Sequence, residues 1–199
     1  KNLWLNGKIR STLAVYQLEK EEMAMPGKNG FIQQTGSQQS RGIEFEVQAQ
    51  MTERCATTFS YALTQTEMTE FAEPVVTCIS ETGTPLVSVI DRSGHEAAFA
   101  PKHILNFWHT RKVGLHFGFS AGMRYVSSQY IAIDNVYQTD GYFLFNANVF
   151  YQSGPVRCYV DFKNLTDTDY EIRGFGGYAV IPGAPFSVSG RIEMRWFDR

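Results

Sequence analysis

The sequence predicts an all-β fold, an antiparallel transmembrane β-barrel segment of about eight long meander strands with short periplasmic turns and long extracellular loops. Three observations predict it: apolar and polar residues alternate over long stretches, short turns alternate with long connections, and aromatic residues lie in the apolar rows near strand ends. Alternation with a period of two gives each strand one apolar and one polar face. Short turns at one end and long loops at the other are typical of outer-membrane barrels.

The alternation is clear between residues 41 and 51, where Ile43, Phe45 and Val47 share one face and Glu44 and Glu46 share the other. Rows of the same kind occur at 143–151, 156–163 and 186–196. Short turns are expected at 52–54, 112–114 and 153–155, and long connections near 24–29, 71–100, 131–140 and 166–185. The predicted strands lie near 8–23, 30–51, 55–70, 101–112, 115–130, 141–152, 155–165 and 186–197. Because the count is even, both ends of the segment should lie on the periplasmic side.

A soluble β-sandwich also has alternating strands, and it competes with the barrel. Sandwich strands usually have about 5–6 residues, which is shorter than the predicted strands. The polar rows also hold full charges, such as Arg191, Glu193 and Arg195, which suit a water-filled lumen. The pattern therefore favours the membrane barrel.

Composition excludes several functions. The 18 basic and 20 acidic side chains leave a net charge of -2, which argues against nucleic acid as a partner. No stretch approaches the roughly 18 consecutive apolar residues of a transmembrane helix. We also expect no metal site and no catalytic set, because the four histidines are scattered and no Ser/His/Asp group has supporting spacing.

The three cysteines, Cys55, Cys78 and Cys158, are too few for a disulfide scaffold. In the predicted topology Cys55 and Cys158 lie near the periplasmic rim on non-neighbouring strands, while Cys78 lies in an outer loop. We therefore expect no intramolecular disulfide, since Cys55 and Cys78 would be a membrane thickness apart.

Six short motifs in consistent order resemble those of TonB-dependent outer-membrane receptors, most closely the siderophore receptors. They are SRGIEFE at 40–46, FSY at 59–61, PKH at 101–103 with Asn106 and Trp108, GMRYV at 122–126 with Asp134-Asn135 and Gly141-Tyr142, KNLTD at 163–167 with Tyr170, and PGAP at 182–185. Two departures stand out. Phe186 occupies the position of the family's usual Arg, and Phe197-Asp198-Arg199 extend beyond Trp196, which takes the place of the family's terminal aromatic residue.

The resemblance implies that residues 1–199 are the C-terminal part of a receptor barrel, with the plug domain, the TonB box and the first barrel strands absent. A complete member has 22 strands. It binds a ferric siderophore in an extracellular pocket, and TonB pulls on the plug to release the ligand inward. The implied partners are the Fe(III)-siderophore complex, TonB through the plug, and outer-membrane lipid of a Gram-negative bacterium. No cofactor is implied, and no covalent chemistry is done on the ligand.

Aromatic faces and a cation suit a bulky, often anionic iron chelate. The candidate ligand-binding residues on the extracellular side are Tyr130, Tyr137, Tyr170, Arg173, Phe175 and Tyr178. The alternative interpretation is that these aromatic residues belong to the interfacial girdle or to loop packing and that Arg173 is solvated.

A second hypothesis is a self-contained eight-stranded outer-membrane barrel with a structural or adhesive role, since eight strands can close around a side-chain-filled interior. It predicts that the first strand pairs with the last. An outer-membrane protease or lipase is a distant third, because the cluster of histidines and carboxylates it requires at one barrel end is not found.

Overall fold

The structure is a computed structural model that describes residues 2–5, 7–26, 32–79, 81, 83, 85–175 and 178–195. The described residues form no helix long and apolar enough to cross a membrane. They form fifteen strands: β1 (Asn2–Trp4), β2 (Ile9–Pro26), β3 (Ile32–Thr52), β4 (Cys55–Glu70), β5 (Ala72–Ile79), β6 (Pro85–Asp91), β7 (His103–Val113), β8 (Phe117–Val126), β9 (Gln129–Tyr130), β10 (Gln138–Thr139), β11 (Tyr142–Ser153), β12 (Val156–Lys163), β13 (Glu171–Phe175), β14 (Ala179–Pro182) and β15 (Ser187–Met194).

Nine strands form one antiparallel meander sheet in the order β1-β2-β3-β4-β7-β8-β11-β12-β15. This order confirms the predicted fold class and its alternation of short turns with long connections. The sheet contains one strand more than predicted, because β1 pairs antiparallel with β2, and the Lys8 amide donates to the Leu5 carbonyl at 3.2 Å between them. Three further hairpins, β5–β6, β9–β10 and β13–β14, lie in connections that the sequence analysis treats as loops.

Several strand boundaries differ from the prediction. The turn between β7 and β8 occupies 114–116 instead of 112–114, and the predicted strand 115–130 ends at Val126. The final strand is also shorter, since β15 spans Ser187–Met194. At these two strands the period-two alternation continues beyond the ladder hydrogen bonds, so the pattern overestimates their length, whereas β2 is longer than predicted and extends to Pro26.

Cross-strand register sorts the side chains onto two faces, because directly opposed residues lie on the same side of a sheet. One row consists of Leu13, Phe45, Tyr61, Leu105, Tyr125 and Phe143. The neighbouring row on the opposite face consists of Ala14, Glu44, Ala62, Ile104, Val126 and Tyr142. The predicted separation of Phe45 from Glu44 is therefore present in the sheet.

Most of the apolar face has no protein covering it. Val15 is 74% exposed, Val149 49% and Ile192 67%, and the described residues contain only four buried hydrophobic side chains, Met68, Val126, Ile131 and Phe150. A soluble protein rarely exposes a continuous apolar surface of this kind. The outward face is suited to contact with lipid.

Glycines allow bulky rings to lie flat on the opposite, luminal face. A Cβ atom at Gly122 would overlap the Trp108 ring and lie 2.5 Å from the Phe107 carbonyl oxygen. Gly190, by contrast, has no atom within 4 Å of the position a Cβ would take. Close packing therefore requires glycine at position 122, and position 190 has room for a methyl group.

Charged side chains at the short-turn end of the luminal face are paired. Arg157 Nη1 donates a hydrogen bond to the Tyr159 hydroxyl at 3.0 Å, and that hydroxyl donates to Glu193 Oε2 at 3.3 Å. Arg191 lies 3.5 Å from Asp161 and also pairs with Glu193. Opposite charges held side by side fit the hydrated interior that the sequence predicts for this polar row.

The described sheet is open, because β1 and β15 are its outermost strands and no ladder joins them. The self-contained eight-stranded barrel requires pairing between the first and last strands, and the described residues contain no such pairing. Trp196 and residues 197–199, which carry one of the sequence departures, lie outside the described residues.

All three cysteines are free thiols. Cys78 lies in the β5–β6 hairpin, whereas Cys55 begins β4 and is opposite Arg111 near the short-turn end. Cys158 lies on β12, which is not a neighbour of β4 in the sheet. These positions agree with the predicted topology.

Candidate ligand-binding site

Three long connections, 71–102, 127–141 and 164–186, emerge from the same end of the sheet and contact one another; together they are called the loop cluster below. The first two are joined by a reciprocal pair of bonds: the Glu96 amide donates to Asn135 Oδ1 at 2.7 Å, and Asn135 Nδ2 donates to the Glu96 carbonyl at 2.9 Å. The Phe99 amide also donates to the Tyr130 carbonyl at 2.9 Å. Asn135 has a φ of +55°, a left-handed conformation that asparagine tolerates better than most residues.

The third connection packs against both of the others. Gln129 Nε2 donates to the Ile172 carbonyl at 2.9 Å, and the Arg173 guanidinium lies 4.8 Å from the centre of the Phe99 ring. Ile131 is 5% exposed and fits against Gly174, where a Cβ would overlap its side chain. The loop cluster therefore has its own small core, which reduces the ordering cost of ligand binding.

The KNLTD motif forms the turn at the start of the third connection, directly after β12. Asn164 is 3% exposed, has a φ of +51°, and donates through Nδ2 to the carbonyls of Thr168 at 3.0 Å and Ala184 at 3.1 Å. Its Oδ1 accepts from the Thr168 amide at 2.9 Å. The Phe186 amide donates to Asp167 Oδ1 at 2.7 Å, so the bond between KNLTD and the entry to β15 uses the backbone of position 186. That contact does not depend on the arginine that the family usually has there.

A cavity of about 480 Å³, called the acidic cavity below, opens between the second and third connections. The Tyr142 and Tyr170 rings are in contact in its wall, with centres 4.5 Å apart and planes tilted by 42°, and Tyr170 also lies against Gly183, where a Cβ would overlap the ring. The full lining is Asp140, Gly141, Tyr142, Thr168, Asp169, Tyr170, Glu171, Val180, Pro182, Gly183 and Pro185. Asp140 shares this lining with Asp169 and Glu171 only because two connections meet, which single-strand patterns do not reveal.

A second recess, of about 270 Å³, is polar and lies between β3, β4 and the first connection. Lys102 Nζ lies 2.6 Å from Glu96 Oε1 inside it, and Arg41 also contributes to the lining. Neither Arg41 nor Lys102 is among the ligand contacts predicted from the sequence. Their only signal is that both belong to segments resembling family motifs.

The six candidate residues lie in different surroundings. Tyr170 contributes to the lining of the acidic cavity. Tyr130 is half-buried, Arg173 covers Phe99, and Tyr137 and Tyr178 are 61% and 83% exposed. Phe175 lies on β13 with a side chain outside the described residues. Their contacts agree in part with the loop-packing interpretation, and their role in ligand binding stays a prediction.

The loop region is acidic overall. The three connections of the loop cluster, 71–102, 127–141 and 164–186, hold nine acidic residues and three lysines or arginines. Arg92 is neutralised by Glu73 at 2.9 Å. The Ser93 hydroxyl and amide both donate to Asp91, at 2.6 and 2.9 Å, and these bonds lower the pKa of the Asp91 carboxyl below its ordinary value.

No group of three or more His, Cys, Asp or Glu side chains able to hold a metal ion occurs among the described residues.

Solved structures similar to this chain are receptors. The ferric-catecholate import receptor Fiu from Escherichia coli K12 is 20% identical with a TM-score of 0.72, and the siderophore receptor PiuA from Acinetobacter baumannii is 18% identical with a TM-score of 0.81. The ferric yersiniabactin uptake receptor FyuA from Yersinia pestis is 14% identical with a TM-score of 0.75. At these identities the similarity shows the fold.

The match covers 96% of this chain and 26% of Fiu, 96% and 26% for PiuA, and 97% and 28% for FyuA. The chain thus spans about a quarter of the length of these receptors. No curated protein matches it in sequence. The family model described as "TonB dependent receptor-like, beta-barrel" matches residues 1–166, and the chain therefore belongs to the family of TonB-dependent receptor β-barrels.

Proposed function

We propose that this chain is the C-terminal part of the barrel of a receptor that imports ferric siderophores. Barrels of this family are outer-membrane proteins of Gram-negative bacteria. The similar structures carry titles that name ferric-catecholate, siderophore and ferric yersiniabactin receptors. The observation that carries the proposal is the match of nearly the whole chain to one quarter of three such receptors.

The open edges of the sheet support the larger barrel. A sheet edge presents unpaired amide and carbonyl groups, and such groups in a membrane need partners. Further strands of the same receptor would pair with β1 and β2 on one side and with β15 on the other. The lumen of that barrel would be wide enough to require the plug that the resemblance implies.

The loop cluster would form part of the extracellular ligand-binding surface. Its connections are cross-linked by the Glu96–Asn135 pair and by Arg173 over Phe99, so its surface is formed before a ligand arrives. Binding and release would involve no covalent step. TonB would act through the plug and thus through residues outside this chain.

Uptake of iron by the complete receptor tests the proposal. Iron-starved cells expressing the receptor would be given ⁵⁵Fe as catecholate, hydroxamate or citrate chelates, with receptor-deleted cells as the control. We expect receptor-dependent accumulation of at least one chelate, abolished by a protonophore because TonB draws on the proton-motive force. Equal accumulation with and without the receptor for all three chelates, or accumulation that the protonophore leaves unchanged, would contradict the proposal.

A further inference from the structure

A cavity of about 440 Å³, called the basic cavity below, lies at the short-turn end of the sheet, between the β3–β4 turn and the β7–β8 turn. Its lining is Met51, Thr52, Arg54, Cys55, Arg111, Lys112, Val113 and Gly114. The Lys112 amide donates to the Arg54 carbonyl at 2.8 Å, which holds the two turns together. The Arg54 amide donates to the Thr52 hydroxyl at 3.2 Å. These contacts within the protein fix the shape of the cavity.

The basic cavity is positively charged. Arg54, Arg111 and Lys112 line it, all three are exposed, and the ion pairs found among the described residues involve other side chains. Glu53 is the only acidic residue within 49–57 and 107–118, and it is exposed and does not belong to the lining. Three positive groups around one concave space attract anions.

Arg111 lies on the apolar, outward face of the sheet. It is in register with Phe119, and its row continues through Val149 and Val160. The next row towards the short-turn end consists of Val113, Phe117, Tyr151, Cys158 and Ile192. The side chains of both rows are exposed. Arg111 is therefore a charge within the surface suited to lipid, where an arginine is unfavourable unless its charge is compensated.

Apolar surface lies directly beside the three cations. Met51 and Val113 belong to the lining and are 53% and 52% exposed, and Leu115 in the β7–β8 turn is 87% exposed. A small soluble anion would contact the cations and leave this apolar surface in water. A phospholipid satisfies both parts, because its phosphate is anionic and its acyl chains are apolar. The short turns of such barrels lie on the periplasmic side, at the level of lipid headgroups.

We propose that the basic cavity binds an anionic phospholipid of the periplasmic leaflet. The phosphate would lie between Arg54, Arg111 and Lys112, since guanidinium groups bind phosphate through paired, charge-assisted hydrogen bonds. An acyl chain would lie along Val113 and Phe117. The bound lipid would supply the counter-charge that Arg111 requires on this face. The inference depends on the membrane position of the barrel and is independent of the cargo proposed above.

Protection of Cys55 tests the proposal, because this half-buried thiol lines the basic cavity. The complete receptor in detergent micelles would be titrated with dimyristoyl-phosphatidylglycerol, dimyristoyl-phosphatidylcholine or inorganic phosphate. Peptide mass spectrometry would follow the alkylation of each cysteine by N-ethylmaleimide. With phosphatidylglycerol at about four times its Kd, Cys55 should react about fivefold more slowly, since only the unbound fraction reacts.

The other additives separate charge from chain. Phosphatidylcholine has the same chains and no net charge, and inorganic phosphate has the charge without chains, so both should protect Cys55 much less. Cys158 is the internal control, because it is an exposed thiol on the same outward face, on β12, and does not line the cavity. Its alkylation rate should be the same with all three additives.

Two substitutions test the role of Arg111. Arg111→Gln should raise the Kd for phosphatidylglycerol about threefold to fivefold, as for a partly solvated ion pair, and Arg111→Lys should raise it less because the charge remains. Arg10→Gln is the matched control. It removes the same charge near the same end of the sheet, from the luminal row of Gln48 and Trp108, and should leave the Kd unchanged. Heat-modifiable gel migration confirms that each variant has folded.

Four results would overturn the inference: equal protection of Cys55 by the two lipids, protection by inorganic phosphate equal to that by phosphatidylglycerol, equal slowing of Cys158, or an unchanged Kd in folded Arg111→Gln. The second of these would assign the cavity to a soluble anion. The comparison of the three additives on the unmodified receptor decides the question even if a variant fails to fold.

Discussion

Replacement of Asn164 should release the turn that connects β12 to the third long connection. Its side chain makes three hydrogen bonds, two to the carbonyls of Thr168 and Ala184 and one from the Thr168 amide. Each is worth about 1 kcal/mol, and the left-handed φ of +51° costs an alanine roughly 1 kcal/mol more. Asn164→Ala should therefore destabilise the closed turn by about 4 kcal/mol.

Two further variants divide that total into its causes. Asn164→Gly loses the three bonds but adopts a positive φ without strain, so we expect a loss of about 3 kcal/mol. Asn164→Asp keeps an oxygen for the Thr168 amide and loses both N–H donors, so we expect a loss of about 2 kcal/mol. The expected order of destabilisation is aspartate, then glycine, then alanine.

Amide hydrogen exchange measured by mass spectrometry on the complete receptor follows the opening of this turn. At about 1.4 kcal/mol for each factor of ten, peptides covering 164–186 should exchange about 1,000-fold faster in Asn164→Ala, up to the limit of unprotected amides. Peptides from the distant β2–β3 hairpin should not change and act as the internal control. If peptides from 164–186 in Asn164→Ala exchange within threefold of the rate in the unmodified receptor, the reasoning is refuted. Equal exchange rates in the alanine and glycine variants would show that backbone strain at position 164 contributes nothing.

Three other changes test separate parts of the structure. Gly122→Ala should destabilise the sheet by about 2 kcal/mol because the new methyl group overlaps an indole ring, whereas Gly190→Ala should be tolerated, and urea titration in micelles compares them. Ser93→Ala should raise the lowered pKa of Asp91, because it removes the hydroxyl hydrogen bond to the charged carboxylate. That charged carboxylate stabilises the closed turn above its ordinary pKa of 3.8, and the stabilisation is lost as the pH falls through the lowered pKa. On lowering the pH, amide exchange of 91–95 should therefore accelerate at a higher pH in the variant than in the unmodified receptor. Cys78 is exposed in the β5–β6 hairpin and should react with a membrane-impermeant maleimide on intact cells, and its failure to react would contradict the assigned orientation.

Much of the architecture could be predicted because it depends on local pattern. Ile43 and Phe45 alternate with Glu44 and Glu46 whatever strand lies beside them, so the sequence predicts both the strand and its two faces. Strand ends were predicted less well. The β7–β8 turn lies two residues further along the chain, since a turn depends on the register of both strands.

The role of the six candidate residues in ligand binding stays a prediction. The sequence placed Tyr170 and Arg173 in the extracellular connections, and the structure places both in the loop cluster. Nothing in the sequence pattern indicated that Tyr170 would contact Tyr142 or that Arg173 would cover Phe99, since each pair joins segments many residues apart. The acidic cavity escaped prediction for the same reason.

The sequence by itself determined that this protein is an antiparallel sheet with one apolar and one polar face, because side-chain direction alternates with every residue of a strand. The family motifs also placed the chain among receptor barrels. Only the tertiary structure decided which connections meet, that Asn135 joins two of them, and that Asp140 lies near Asp169 and Glu171. These relations depend on register and on packing between distant segments, which no local pattern of residues encodes.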